Sequence, residues 1–146
     1  MIFCQAQSAD IPELQIVRNS VTENTLSDPA LVPDLDVEDY INRRGRGWVA
    51  LHDTGIVVFS IVSVMDNNVW ALFIEPGFEK QGIGQKLREM MMNWYFAQTD
   101  TTIWLGTAPG TRAKQFYRKA GWQETGTHGK DEIKFEMTSE NWKNQH

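Results

Sequence analysis

One cysteine, Cys4, in 146 residues rules out an intrachain disulfide framework and any cysteine metal cluster, and points to a reducing compartment. Histidine is as scarce: His52, His128 and His146 lie far apart without ligand spacing, so no metal is expected. No apolar run approaches the ~20 residues that a membrane span needs. The opening Met1-Ile2-Phe3-Cys4-Gln5 also lacks the basic and long apolar regions of a signal peptide. A cytoplasmic protein with no membrane partner is expected. Clustered positive charge is missing too, since the formal charge is -5 and only Arg43, Arg44 and Arg46 sit together, among Gly45 and Gly47, like a solvated helix end. That argues against nucleic acid as a partner. Two phosphate-binding patterns are absent as well. No Gly-x4-Gly-Lys-Ser/Thr occurs, and a dinucleotide fingerprint would want a third glycine or alanine where Leu87 stands.

What is present is aromatic bulk. Seven Phe, six Trp and three Tyr can fill the core of one domain, expected over residues 1–138, with 139–146 as a polar, frayed or loosely docked tail. Ile2 to Ala6 reads as a strand in which Cys4 is a small apolar residue. Asp10 then reads as the cap of a helix with Glu13 at the capping-box position, and Ile11, Leu14, Val17 and Val21 form its stripe. Pro29 and Pro33 break the segment from Glu23 to Leu35. Asp36 is placed to cap a short helix that Gly45 ends. Three strands follow, Gly47 to His52, Ile56 to Val64 and Val69 to Glu75, with polar connections short enough for hairpins. The middle strand is apolar on both faces, which requires cover on both sides of the sheet.

Ile83, Leu87, Met90, Met91 and Trp94 share one face of a long helix running to about Ala97. A strand from Thr101 to Thr107, a helix after Thr111 that stops at Gly121, and a hairpin of Trp122 to Gly126 with Glu132 to Thr138 complete the chain. The expected architecture is α/β (α+β): a single mixed, mostly antiparallel sheet of six to seven strands with helices on both faces.

The stretch from Ile74 to Leu87 runs from a strand through Pro76-Gly77 into Gly82-Ile83-Gly84 at a helix start. Unpaired amides and the helix dipole make such a start attractive to an anion, and Gly82 and Gly84 keep the backbone bare. A Gly-x-Gly pair is equally compatible with a tight turn and no ligand.

Together with the element order and the later Ala113-Lys114-Gln115-Phe116-Tyr117-Arg118-Lys119-Ala120-Gly121-Trp122, the turn Pro76-Gly77-Phe78-Glu79-Lys80-Gln81-Gly82-Ile83-Gly84 resembles the GNAT family of N-acetyltransferases. The specific part covers Val69 to Trp122. The resemblance implies acetyl-CoA as acyl donor and a primary amine of a small molecule or peptide as acceptor, and it leaves a homodimer open. By that resemblance the backbone of Leu72, Phe73 and Ile74 would pair with the pantetheine arm where the fourth strand splays from the fifth. The amides of Lys80, Gln81, Gly82, Ile83, Gly84 and Gln85 would hold the pyrophosphate, with Lys114 and Tyr117 flanking the thioester. Two positions depart from the family pattern. Glu79 stands where Arg or Gln is usual and is expected to face solvent, with Lys80 and Lys86 supplying charge. Gly110 stands where Asn is common.

Acyl transfer from a thioester to an amine needs a polarised carbonyl, a donor for the leaving sulfur and removal of the ammonium proton. A backbone amide near Phe73 or Ile74 suits the first requirement. Tyr117, a phenol with an ordinary pKa near 10, suits the second, although its place among Ala113, Phe116 and Ala120 suits packing equally. For the third, Glu75 lies nearest the turn, with Asp66, His52 and His128 as alternatives. Trp48, Trp70 and Trp104 belong either to the sheet core or to an acceptor pocket built from the 23–35 segment, the second helix and the terminal hairpin. A catalytically idle acyl-CoA-binding sensor or scaffold is the alternative function.

Overall fold

The computed structural model describes residues 1–20, 32–53, 55–107, 112–129 and 132–145. Expectations for most of the 23–35 segment, the Thr111 cap and Gly110 lie outside them. Strand β1 is Ile2–Gln5, and helix α1, Ile11–Ser20, follows a 3-10 turn at Ser8–Asp10. Helix α2, Asp34–Asp39, runs through a π-helical turn at Tyr40–Arg44 into β2, Gly45–His52. Next come β3 at Gly55–Ser63, β4 at Asn68–Ile74, α3 at Ile83–Gln98, β5 at Ile103–Thr107 and α4 at Arg112–Lys119. Strands β6, Gln123–His128, and β7, Glu132–Met137, form the terminal hairpin, and α5, Ser139–Gln145, ends the described chain. The seven strands lie in the order β1-β2-β3-β4-β5-β7-β6, with β4 and β5 parallel and the other neighbours antiparallel. The mixed, mostly antiparallel sheet is therefore the one expected.

Strand alternation divides the core into two layers. On one face Val58, Val62 and Leu105 meet Leu87, Met91, Met92 and Tyr95 of α3. On the other, Val49, Phe59 and Ile61 meet Leu14 and Val17 of α1 with Val37 and Ile41. The doubly apolar β3 is thus covered twice. The buried stripe of α3 is rotated from the expected one, so that Met92, Tyr95 and Phe96 are buried while Met90 and Trp94 lie at its margin. The Tyr95 hydroxyl explains part of this, accepting a 2.9 Å bond from the Asn67 amide and donating to the Thr101 carbonyl at 3.1 Å.

Four local expectations fail for identifiable reasons. The chain turns helical earlier than Asp10, and the Asp10 carboxylate accepts from the Gln7 amide at 2.8 Å; Glu13 is thereby free to accept from the Ile56 amide at 3.0 Å. Helix α2 begins at Asp34 behind Pro33, whose carbonyl accepts from Asp36 and Val37, so Asp36 is inside the helix and not its cap. Cys4 is exposed, because on the edge strand β1 it is the neighbouring Phe3 that turns toward the core. The tail is not frayed: residues 139–145 are helical, the Thr138 hydroxyl accepts from the Asn141 amide at 3.1 Å, and Trp142 is only 2% exposed. Among the described residues no helix is long and apolar enough to cross a membrane.

Candidate active site

Strand β4 pairs with β3 along its length, but with β5 at a single position, Asn68 opposite Trp104. Beyond that point the two parallel strands diverge, and a cleft of about 270 Å³ opens between them. The Glu75 amide donates to the Val57 carbonyl across β3 at 2.7 Å. Because backbone groups alternate sides along a strand, the Phe73 amide also points to β3, whereas those of Leu72 and Ile74 point toward the cleft. Of the two amides expected as oxyanion donors, that of Ile74 points toward the cleft and that of Phe73 toward β3.

Elements from both layers line this cleft, including Arg18 of α1, Trp70 and Phe73 of β4, Tyr117 of α4 and Glu132 of β7. A bulge positions Trp70: Ile61 pairs with Ala71 and Val62 with Val69, which leaves Trp70 as the extra residue. It is thereby turned to the α1 face, where it stacks on Tyr40 with ring centroids 3.9 Å apart. Trp48 is a buried core residue set edge-on to Trp94, and Trp104 packs beside His128 and is not among the residues lining the cleft.

Tyr117 is 7% exposed and set among Phe116, Trp122 and Phe135, so it packs and also lines the cleft. Burial pushes its phenol pKa upward, against a smaller downward pull from Arg88. The hydroxyl therefore stays protonated at neutral pH.

Below the strand, the turn builds an open helix start. Gly82, at φ +79°, is the N-cap of α3, and a Cβ placed on it would meet nothing within 4 Å. The first helical bond runs from the Lys86 amide to the Gly82 carbonyl at 3.1 Å, so the preceding amides of Ile83, Gly84 and Gln85 have no carbonyl within the helix. Gly84 plays another part: a Cβ there would stand 2.7 Å from Ile74 Cδ1, so its bareness lets α3 lie against β4. Glu79 does not simply face solvent but is half-buried, its carboxylate accepting from the Gly77 amide at 2.8 Å. Lys80 and Lys86 are exposed beside it.

The structure thus brings Leu72, Phe73 and Tyr117 to the cleft, and places Ile74 between it and the helix start formed by Lys80 to Gln85. Lys114 turns instead toward Glu124, 3.9 Å away. Glu75 stands half-buried at the end of β4, outside the residues lining the cleft. Asp66 is committed to Arg44 and to the Ser63 hydroxyl, His52 packs on Phe78, and none of these reaches the cleft. Two charged residues that do were not anticipated. Arg18 falls seven residues after Ile11 and four after Leu14, which is a position on the apolar stripe of α1 and a visible signal. Glu132 carried none, since only the pairing of β7 with β5 puts it over Gly106.

A family model described as an acetyltransferase (GNAT) domain matches residues 43–124, more than half of the chain. No curated protein is similar to it in sequence. Among solved structures, the fold is similar to the PaiA N-acetyltransferase of Thermoplasma acidophilum in complex with coenzyme A, at TM-score 0.81 and 15% identity over 94% of this chain and 98% of that one. It is also similar to a GNAT-family acetyltransferase of Staphylococcus aureus Mu50, at TM-score 0.82 and 22% identity over 94% and 98%. A third similar structure is the ribosomal-protein-S18-alanine N-acetyltransferase of Escherichia coli, at TM-score 0.72 and 16% identity over 93% and 90%.

Proposed function

The chain belongs to the GNAT family of acetyltransferases and is thereby an acetyl-CoA-dependent N-acetyltransferase; from that premise we propose that it transfers the acetyl group directly to a primary amine held in the cleft between β4 and β5. The observation that carries this reading is the divergence of β4 from β5 after one paired position, immediately upstream of an open helix start. Unpaired strand edge and unpaired helix amides are what an extended arm ending in a diphosphate requires.

Acetyl-CoA supplies an activated thioester. The Ile83, Gly84 and Gln85 amides would receive its diphosphate, with Gly82 leaving the approach open. The Leu72 and Ile74 backbone would pair with the arm, and the Ile74 amide would donate to the carbonyl oxygen as negative charge develops there. The amine nitrogen forms a bond to the acetyl carbon, the carbon–sulfur bond breaks, and the amine proton departs while the sulfur leaves as thiol. Tyr117, kept protonated by burial, is suited to give its proton to that sulfur as general acid and to recover one from solvent. Glu132 reaches the cleft and Glu75 does not, so Glu132 replaces it as the candidate to take the ammonium proton.

Coenzyme A titration followed by thiol-release assays over an amine panel tests the reading. Binding and amine-dependent thiol release are expected. Binding without turnover on any amine would favour the idle acyl-CoA sensor. The absence of binding would remove both.

A further inference from the structure

Arg18 is a cation among the buried residues of α1. It is 5% exposed on the apolar stripe of α1, and its guanidinium lies 5.0 Å from the Trp70 ring centroid and 5.3 Å from that of Phe73. Its Nε is buried without a hydrogen-bond partner, and no carboxylate among the described residues pairs with it. Burial pulls its pKa down to about 10. Aromatic faces offset only part of the lost hydration of a cation. A buried, unpaired guanidinium on a cleft wall is a fixed donor fork that lacks its acceptor.

The same cleft carries a carboxylate. Ile103 and Leu105 of β5 face the α3 layer, so Gly106 turns toward the α1 layer, and the Glu132 side chain lies over it, 2.7 Å from where a Cβ would stand. Arg18 and Glu132 thus line one opening on the α1 side of the sheet without forming an ion pair with each other. Two opposite charges in one cleft, neither paired by a described residue, are complementary to a ligand that carries both signs.

We propose that the acetyl acceptor is a small aminocarboxylate, whose carboxylate is held by the Arg18 guanidinium over Trp70 and Phe73 while its amine end is drawn to Glu132. This rests on the transferase reading above and narrows its acceptor. A carboxylate in the cleft would accept from the guanidinium, and the aromatic floor would exclude water from the pair.

The test compares aminocarboxylates of graded length, from glycine to 6-aminohexanoate, with their carboxamides, each by thiol release and by calorimetric titration of the coenzyme A complex. At the preferred length kcat/KM should exceed that of the carboxamide by at least about tenfold, the worth of hydrogen bonds to a charged group. Arg18→Met should bring the ratio to near one with coenzyme A affinity unchanged, and Arg18→Lys should keep part of it. If Arg18→Met fails to fold, the wild-type ratio and Arg18→Lys decide the matter. Equal use of acids and carboxamides by the wild type overturns the proposal. If no amine is acetylated, the transferase reading fails separately. Heat of aminocarboxylate binding that Arg18→Met or Arg18→Lys diminishes would then support the anion site, and no heat in the wild type would overturn it.

Discussion

The Trp142 indole nitrogen donates a 2.8 Å hydrogen bond to the Asn93 side-chain oxygen, tying the last helix to α3. Arg88, one turn and a half earlier on α3, holds its guanidinium 5.3 Å from the same indole and 5.9 Å from Phe116. The C-terminal helix thereby closes over the cation and the side of the α3 layer. Trp142→Ala is expected to cost about 3–5 kcal/mol, the range for emptying a buried aromatic site, whereas Trp142→Phe should lose far less because the ring is kept. Urea unfolding measures both. Equal stability of wild type and Trp142→Ala would mean that α5 is not anchored by this ring.

That helix shows why part of the fold was illegible in the chain. A single apolar residue in Ser139–Gln145 gives no periodicity, and its helicity depends on a receiving groove made by residues far away in sequence. Strongly patterned elements were legible: β3 announced cover on both faces, and Ile133, Phe135 and Met137 announced β7. Boundaries shifted where a backbone carbonyl, as at Pro33, did the work expected of a side chain. At the site, the glycine turn and Tyr117 could be found because they lie in contiguous motifs. Arg18 is visible as a charge on an apolar stripe, while Glu132 depends on strand pairing alone. Even where the turn was identified, the two glycines divide the labour, Gly82 leaving open space and Gly84 making room for Ile74.

Gly82 is the position at which that division is testable. Its φ of +79° penalises any side chain, by about 1–2 kcal/mol for alanine. A Cβ would also occupy open space at the N-cap, next to the first helical amides. Gly82→Ala should therefore weaken coenzyme A binding in a calorimetric titration beyond what its loss of thermal stability explains, whereas Gly84→Ala should act mainly on stability. Unchanged affinity in Gly82→Ala would place the diphosphate elsewhere.

Tyr117→Phe keeps the packing and removes the hydroxyl. Turnover should fall at least about tenfold, at the low end for a general acid, with acetyl-CoA affinity little changed. Unaltered turnover would leave Tyr117 a packing residue only.

The same substitution has a consequence for alkaline stability. The folded phenol binds its proton more tightly than the unfolded one, whose pKa is near 10, so above that pH the native state holds more protons than the unfolded state. Stability from this group is complete below about pH 10 and falls as pH rises toward the higher folded value. Tyr40 and Tyr95 are shifted in the same direction by burial. Tyr117→Phe should therefore make the decline above about pH 10 shallower without abolishing it. An identical slope in urea titrations at several alkaline pH values would contradict the burial of this hydroxyl.

The two carboxylates near the cleft are separable by single substitutions. Glu75 stands at the end of β4 outside the cleft, and its backbone amide is already spent on Val57. Glu132 lines the cleft above Gly106. Replacing either by glutamine keeps the volume and removes the charge, so stability should change little while the ability to accept a proton is lost. Glu132→Gln is expected to lower kcat/KM by about a hundredfold if it takes the ammonium proton, the lower bound for a positioned base, and Glu75→Gln should stay within about twofold. Because an amine that is already neutral need not lose an ammonium proton before it attacks, raising the pH toward the amine's own pKa should partly rescue Glu132→Gln. The reverse order of the two variants would return the role to Glu75, acting through water, and leave Glu132 as a wall of the acceptor cleft.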